Sequence, residues 1–592
     1  MTTARVTALR AALKDAGFDG WIQPRADEFQ GEYVPPSAAR LAWLTGFTGS
    51  AGLAVVLQEK AAVFSDGRYT LQLKDEIDGA VFEARHSVEQ PAADWIKENL
   101  PEGAVLAYDP WLLTEAEVER YGKAARKAGG SLAAADRNVV DFVWADRPAP
   151  PRAPIAAHPL EYAGEGSADK RARLAAKLAE DEVDAALLTQ PDGIAWLLNV
   201  RGGDVEHTPL PLSFAILERD GRLEWFVDEA KLPAETRAWL GNEVAVRPVE
   251  SFASALDEFG GRKALVPAAA PAAVAQRLKA AGAEVVAGRD PTALPKACKN
   301  QTEIAGARAA HRRDAVAVAR FLHWLDEAAP GGDVTEMAAA DRLEAFRRGL
   351  DLFRDLSFPT ISGAGPNGAI VHYRVTPKSD RRLEPGSLYL VDSGAQFLDG
   401  TTDITRTVAI GAPTAEMRRA YTLVLKGHLA LGAARFPKGA TGAQLDTLAR
   451  APLWQAGLDF DHGTGHGVGS YLSVHEGPQR ISKAAGDTAL EPGMILSNEP
   501  GYYKTGAFGI RIENLLLTTV AEIPGGERPS LAFETLTLAP YDRRLIDVDL
   551  LAAAEVAEID AYHARVNAAL AGALEGSAAA WLAAATAPLG VS

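Results

Sequence analysis

Two stretches in the first half of the chain repeat one hydrophobic pattern. The first runs FDGWI, LAWLTGFTG and GLAVVLQEKAAVFSDGRYTLQL; the second runs VDAALL, IAWLLNVRG and SFAILERDGRLEWFVDEAKL. In each, a short apolar run predicts a strand and an AWL segment reads as a helical turn. Two apolar runs around a polar turn then predict a hairpin, and a helix follows. The copies align at Trp43 with Trp196 and at Asp66 with Asp228. This predicts two homologous α/β domains. Neither clusters catalytic residue types, so a structural or substrate-gating role is expected of both.

The pattern changes at two places. Residues 144–168 carry five prolines and little periodicity, and read as a linker or draped connection. Near 289–302, Asn300 and Glu303 form the spacing of a capping box that opens a long helix. Its apolar residues, Ile304, Val318, Phe321, Leu322 and Leu325, recur at helical spacing. Beyond about residue 350, short strands separated by turn signals follow: GSLYLVDSGA, TTDITRTVAI, GMILSNEP and FGIRIENLLLTT. The expected division is two α/β domains over 1–150 and 151–300, then a third domain over 301–592.

Composition narrows the function classes. The 592 residues are 47% apolar and 23% charged, which is the balance of a soluble globular chain with material for several cores. Lys and Arg total 61 against 78 Asp and Glu, a net charge of −17 that repels polyanions and argues against a nucleic-acid partner. One cysteine, Cys298, allows no intrachain disulfide. The N-terminus lacks the apolar core of a signal peptide, and no apolar run reaches the ~18 residues of a membrane span. A cytoplasmic protein with no membrane partner is expected.

The third segment places acids where strands should be apolar. Asp392 shares a strand face with Leu388 and Leu390, and Asp403 stands 11 residues on, at a spacing that suits two antiparallel neighbours. Glu499 ends the strand MILSNEP. In GIRIENLLL, Ile510 and Ile512 fall on one face, Arg511 and Glu513 on the other. Like charges ~4 Å apart repel by about 4 kcal/mol at an effective dielectric of ~20. Protonation would relieve this, and so would two divalent cations. HGTGHGVG offers His462 or His466 as a fifth ligand, and its glycines favour a strand or loop that packs closely on a crowded centre. Oxygen ligands with one imidazole favour Mn2+, with Zn2+, Co2+ or iron as alternatives.

VDSGAQFLDGTTDITRT, HGTGHGVGSYLSVHEGP, SNEPGYY and GIRIEN resemble the metal-site motifs of the pita-bread metallopeptidases. LAWLTGFTGSAG, VFSDGRYTLQ, IAWLLNVRGGDVEHTPL and AHRRDAVAVARFLHWL extend the resemblance, over nearly the whole chain, to the long three-domain Xaa-Pro aminopeptidases. The resemblance implies two creatinase-N-terminal-like α/β domains followed by a catalytic α+β domain, a curved antiparallel sheet covered by helices. It implies two metals held by Asp392, Asp403, His466, Glu499 and Glu513, with Asp403 and Glu513 bridging. It also implies cleavage between an N-terminal residue and a following proline by a metal-bridging water. In that scheme Glu499 shuttles the proton, His372 and His475 bind substrate carbonyls and stabilise the intermediate, and His462, Tyr503 and Arg511 contact substrate or support the ligands. Peptides with a penultimate proline are the implied partners, and a homodimer the implied assembly. A prolidase acting on Xaa-Pro dipeptides and a non-catalytic peptide-binding module are the alternatives.

Overall fold

The computed structural model describes residues 2–484 and 486–590. The chain forms two compact units, residues 1–159 with 165–293, and residues 160–164 with 294–592.

The first unit contains two six-stranded sheets of identical topology. In the first, the strand order is Glu83–His86, Ala61–Ser65, Leu53–Leu57, Gly20–Pro24, Val105–Tyr108, Ser131–Ala134. In the second it is Val244–Arg247, Leu223–Phe226, Phe214–Glu218, Ala185–Leu188, Lys263–Pro267, Glu284–Gly288. Each sheet has the same two antiparallel and three parallel pairings in the same places. The residues that reveal the repeat do the same local work in both copies. Asp66 and Asp228 each accept a backbone N–H two residues on, from Arg68 and Ala230, and so open a 3-10 turn. Trp43 and Trp196 lie on the short helices Arg40–Thr45 and Pro191–Leu198, which both end on a left-handed residue, Gly46 and Asn199.

The proline-rich stretch is more ordered than its composition predicts. Ala156–Ala157 pairs with Val200–Arg201, and Leu160–Ala163 forms a helical turn.

In the second unit, helix Gln301–Ala328 carries the reciprocal Asn300–Glu303 capping box at its N-terminus. Ile304, Val318, Phe321, Leu322 and Leu325 are all buried. Two antiparallel sheets carry the polar strands. One pairs Ser387–Ser393 with Ile361–Ala364 and Ile404–Ile410. The other orders Arg435–Pro437, Ser530–Thr535, Asn514–Ala521, Ile495–Asn498, Gly465–Gly467 and Glu476–Ile481. Helices Ala415–Gly432, Gly442–Trp454 and Ala553–Leu570 pack in the same unit.

FGIRIENLLLTT, which reads as one strand, is two. Phe508–Arg511 pairs with Gly501–Lys504, whereas Asn514–Ala521 pairs with Ile495–Asn498 and Ser530–Thr535. Ile512 and Glu513 cross between them, with their N–H groups donated to the Pro500 and Thr405 carbonyls. The break is stabilised by Arg406, fully buried, which donates to the carbonyls of Glu513, Thr405, Ala539 and Pro540, to Asn514 Oδ1 and to the Tyr562 hydroxyl.

Candidate metal centre

Strand register brings the acids together. Asp392 pairs with Thr405 across Ser387–Ser393 and Ile404–Ile410, and Asp403 is the residue just before the second strand. His466 is the middle residue of Gly465–Gly467, and Glu499 directly follows Ile495–Asn498. Its N–H donates to the Thr464 carbonyl, which ties it to the histidine's strand. Glu513 sits at the break between the two C-terminal strands.

Asp403, His466 and Glu513 offer ligand atoms that all lie within 4.8 Å of one another. His466 Nε2 is 3.5 Å from Asp403 Oδ2 and 3.7 Å from Glu499 Oε1. Its Nδ1 is 3.0 Å from the Gly467 carbonyl, a contact that favours the tautomer leaving Nε2 free for a cation. Asp392 is held at Oδ2 by Arg511 at 2.6 Å. Thr405 Oγ1 donates to Glu513 Oε2 at 2.8 Å and accepts from Arg511 Nε at 3.2 Å. Arg511 also donates to the Tyr503 hydroxyl at 2.6 Å, and His462 Nε2 lies 2.8 Å from that hydroxyl. The two histidines of HGTGHGVG thus face different partners, His466 the carboxylates and His462 the tyrosine. The His475 ring packs edge-on to His466 at 4.3 Å between centroids. His372 is half-buried in a loop whose Ile370, Tyr373 and Val375 pack with Ile361, Leu390 and Tyr503.

Whether this donor set suits cations can be tested on the carboxylates themselves. Among the described residues, Asp392 Oδ1, Asp403 Oδ1 and Glu513 Oε1 are buried oxygens with no hydrogen-bond partner. A buried polar atom without a partner costs about 1–3 kcal/mol, more when charged. The acids also resist ionising side by side. Burial pushes Asp392 up to about 6, against the pull of Arg511 and with the charge of Asp403. Burial pushes Glu499 up to about 7, opposed by His466 and Arg511. Glu513 goes well above the carboxylate range, from burial and then the charges of Asp403, Asp392 and Glu499. Burial opposes a charge on His466, yet the Asp403 hydrogen bond and the Glu499 charge hold it at about 9. Orphaned oxygens, crowded acids and an imidazole held cationic by its neighbours are what a cluster built for divalent cations shows in their absence.

Sequence reasoning passed over Thr405 and Arg406. The signal was present in TTDITRTV, where Thr405 and Thr407 alternate on one strand face next to a candidate ligand. The glycines also acquire a physical reason. A Cβ on Gly465 would run into the Ser497 carbonyl, and one on Gly467 into Gln479 and the Glu476 carbonyl. Gly465→Ala is expected to push its strand off Ile495–Asn498. We expect a loss of about 1–3 kcal/mol in a denaturant titration, together with weaker metal retention.

Acids and an imidazole gathered on antiparallel strands are the donor set of a divalent-metal centre, and the comparisons make it that of a metal-dependent hydrolase. The chain belongs to metallopeptidase family M24. The family model for metallopeptidase family M24 matches residues 305–520, and that for the C-terminal region of this peptidase matches 529–589. Two models of the creatinase/prolidase N-terminal domain match 5–140 and 146–303. The probable Xaa-Pro aminopeptidase P of Paracoccidioides brasiliensis is 40% identical over 588 residues, 95% of each chain. The crystal structure of an X-prolyl aminopeptidase from Caenorhabditis elegans, described as a cytosolic enzyme with a di-nuclear active site, superposes with a TM-score of 0.95. It is 32% identical, over 99% of this chain and 100% of that one. The prolidase of Thermococcus sibiricus is 26% identical with a TM-score of 0.50, over 63% of this chain and 97% of its own. The architecture is therefore two creatinase-type α/β domains ahead of a pita-bread catalytic domain. Among the described residues, no helix is long and apolar enough to cross a membrane.

Proposed function

We propose that this hydrolase is a dinuclear Xaa-Pro aminopeptidase, which removes the N-terminal residue of a peptide whose second residue is proline. The observation that carries the reading is the convergence of Asp403, His466 and Glu513 within 4.8 Å, with unpartnered buried oxygens on Asp392, Asp403 and Glu513. Asp392, Asp403, His466, Glu499 and Glu513 would hold two divalent ions, of which Mn2+ suits the oxygen-rich set best. Bound there, such ions supply Lewis-acid polarisation and a water acidic enough to react near neutral pH. Glu499, half-buried at the end of its strand and 3.7 Å from the His466 imidazole, is assigned the uptake and return of the proton. His475, edge-on to His466, and His372 are assigned to the substrate carbonyl, where donors stabilise developing negative charge. Arg511 holds Asp392 and Tyr503 in place, and Tyr503 with His462 is assigned to the substrate side. Proline at the second position presents a tertiary amide with no N–H and a restricted φ, which a pocket shaped for the ring can accept.

Three domains over 1–150, 151–300 and 301–592, a homodimeric assembly and a cytoplasmic location belong to the same reading; the whole-length match to the C. elegans enzyme supports it over a prolidase, whose match covers 63% of the chain. The test is release of the first residue from an Xaa-Pro-Xaa tripeptide by metal-stripped protein after Mn2+ is added, beside an Xaa-Pro dipeptide. We expect metal-dependent turnover of the tripeptide to exceed that of the dipeptide at least tenfold. Dipeptide preference would make the chain a prolidase, and no turnover of either would make it a binding module.

A further inference from the structure

A buried charge cluster stands next to the site without belonging to it. The Glu476 carboxylate is fully buried between two ammonium groups, Lys299 Nζ 2.5 Å from Oε1 and Lys296 Nζ 2.7 Å from Oε2. Both lysine side chains are at least 96% buried, and Lys299 also donates to the Lys296 carbonyl at 3.0 Å. Two cations on one carboxylate in an interior carry a desolvation penalty that an apolar trio of the same volume would not. Lys299 hydrogen-bonds Oε1 while Lys296 meets Oε2 by charge alone, so the Glu476 carboxylate is restrained from both sides.

What it fixes is the end of a loop. Glu476 begins strand Glu476–Ile481 and pairs with Gly467, the residue after His466; its own predecessor is His475, which packs on His466. The other end of that loop is also held. Gln396 donates to the Leu472 carbonyl at 2.7 Å, while Thr401 donates to Gln396 at 2.8 Å and accepts from the Leu472 N–H at 3.4 Å. Just before the Leu472 anchor, Tyr471 has a φ of 48°, a left-handed conformation that a non-glycine residue keeps only when its surroundings impose it. His475 is the last residue before the second anchor.

We propose that Lys296, Lys299 and Glu476 are positioning residues that set the His475 imidazole against the metal centre; this rests on the peptidase reading and on the role given there to His475. The triad acts through the backbone of 475–476, so its removal displaces the imidazole while leaving the five metal ligands in place.

The experiment compares Glu476→Gln, Lys296→Met and Lys299→Met in the Mn2+-loaded enzyme, each alone and combined with His475→Ala, by tripeptide kinetics and bound-metal analysis. Hydrogen exchange over 468–476 is followed in the metal-free protein. Glu476→Gln is expected to lower kcat about 10–100-fold with KM within threefold and both metals retained. Exchange in the loop should quicken. In the His475→Ala background the same change should move kcat less than twofold, because its effect passes through that imidazole. Losses that multiply in the double variant, or a normal kcat for Glu476→Gln in an active wild type, overturn the inference alone. A wild type without turnover, or His475→Ala with wild-type turnover, overturns the reading beneath it as well. If Glu476→Gln does not fold, Lys296→Met, which leaves Lys299 on Oε1, is judged in the two backgrounds by the same criteria.

Discussion

Asp403→Asn is expected to abolish metal binding and turnover together. Asp403 is one of three residues whose ligand atoms converge within 4.8 Å, and its Oδ2 faces the His466 imidazole at 3.5 Å. Asparagine keeps the shape but removes a charge, and an amide nitrogen cannot bind a cation. The remaining carboxylates then face a site with less charge to neutralise two dications, and kcat/KM should fall by at least about 10³-fold. Mass spectrometry of the purified variant should find neither metal at stoichiometric level. A second readout separates this from misfolding. In the metal-free state Asp403 repels Asp392, Glu499 and Glu513, each of which feels its charge. The substitution relieves that repulsion but also removes the hydrogen bond that holds His466 cationic, so metal-free Asp403→Asn should still unfold cooperatively, within a few degrees of metal-free wild type. A variant that keeps both metals would remove Asp403 from the ligand set.

The parts of this molecule that show in its sequence are those in which a residue's type already implies a cost or a local bond. Asp66 and Asp228 show because each satisfies a backbone N–H two residues away, a distance visible in any one sequence. Asn300 and Glu303 show for the same reason. The four acids of the candidate site show because carboxylates at the ends of apolar strands have to be explained. What does not show is whatever depends on distant pairing. Spacing alone leaves His462 and His466 equivalent; the pairing of Gly467 with Glu476 and Leu496 places His466 toward Asp403, while His462 falls outside the strand and reaches Tyr503. The break after Arg511 depends on Arg406, more than 100 residues earlier in the chain, which holds the Glu513 carbonyl. The same guanidinium reaches Ala539, Pro540 and Tyr562, so the C-terminal region braces the strand that carries Glu513. No periodicity could have announced that, since each bond joins an ordinary arginine to an ordinary carbonyl.

The stabilisation that metal gives this protein should grow with pH across the neutral range. Asp392 and Glu499, pushed by burial to about 6 and about 7, are raised above their unfolded values of 3.8 and 4.5. Raised groups add stability to the metal-free fold below the unfolded pKa, and that contribution is lost as pH rises through the folded one. The metal-free protein therefore loses it between about pH 4 and pH 7. His466, held at about 9 against the cost of its burial by Asp403 and Glu499, follows the same sign at higher pH. Cations reverse these terms, because they bind the ionised carboxylates and the neutral imidazole. Differential scanning calorimetry of metal-free and Mn2+-loaded protein should show a gap in Tm that widens from pH 5 to pH 8. At pH 7, addition of Mn2+ to weakly buffered metal-free protein should release roughly 2–3 protons per chain, from His466 and the acids still protonated there. A Tm gap that stays flat over this range, with no proton released, would show that these groups do not titrate as a metal site.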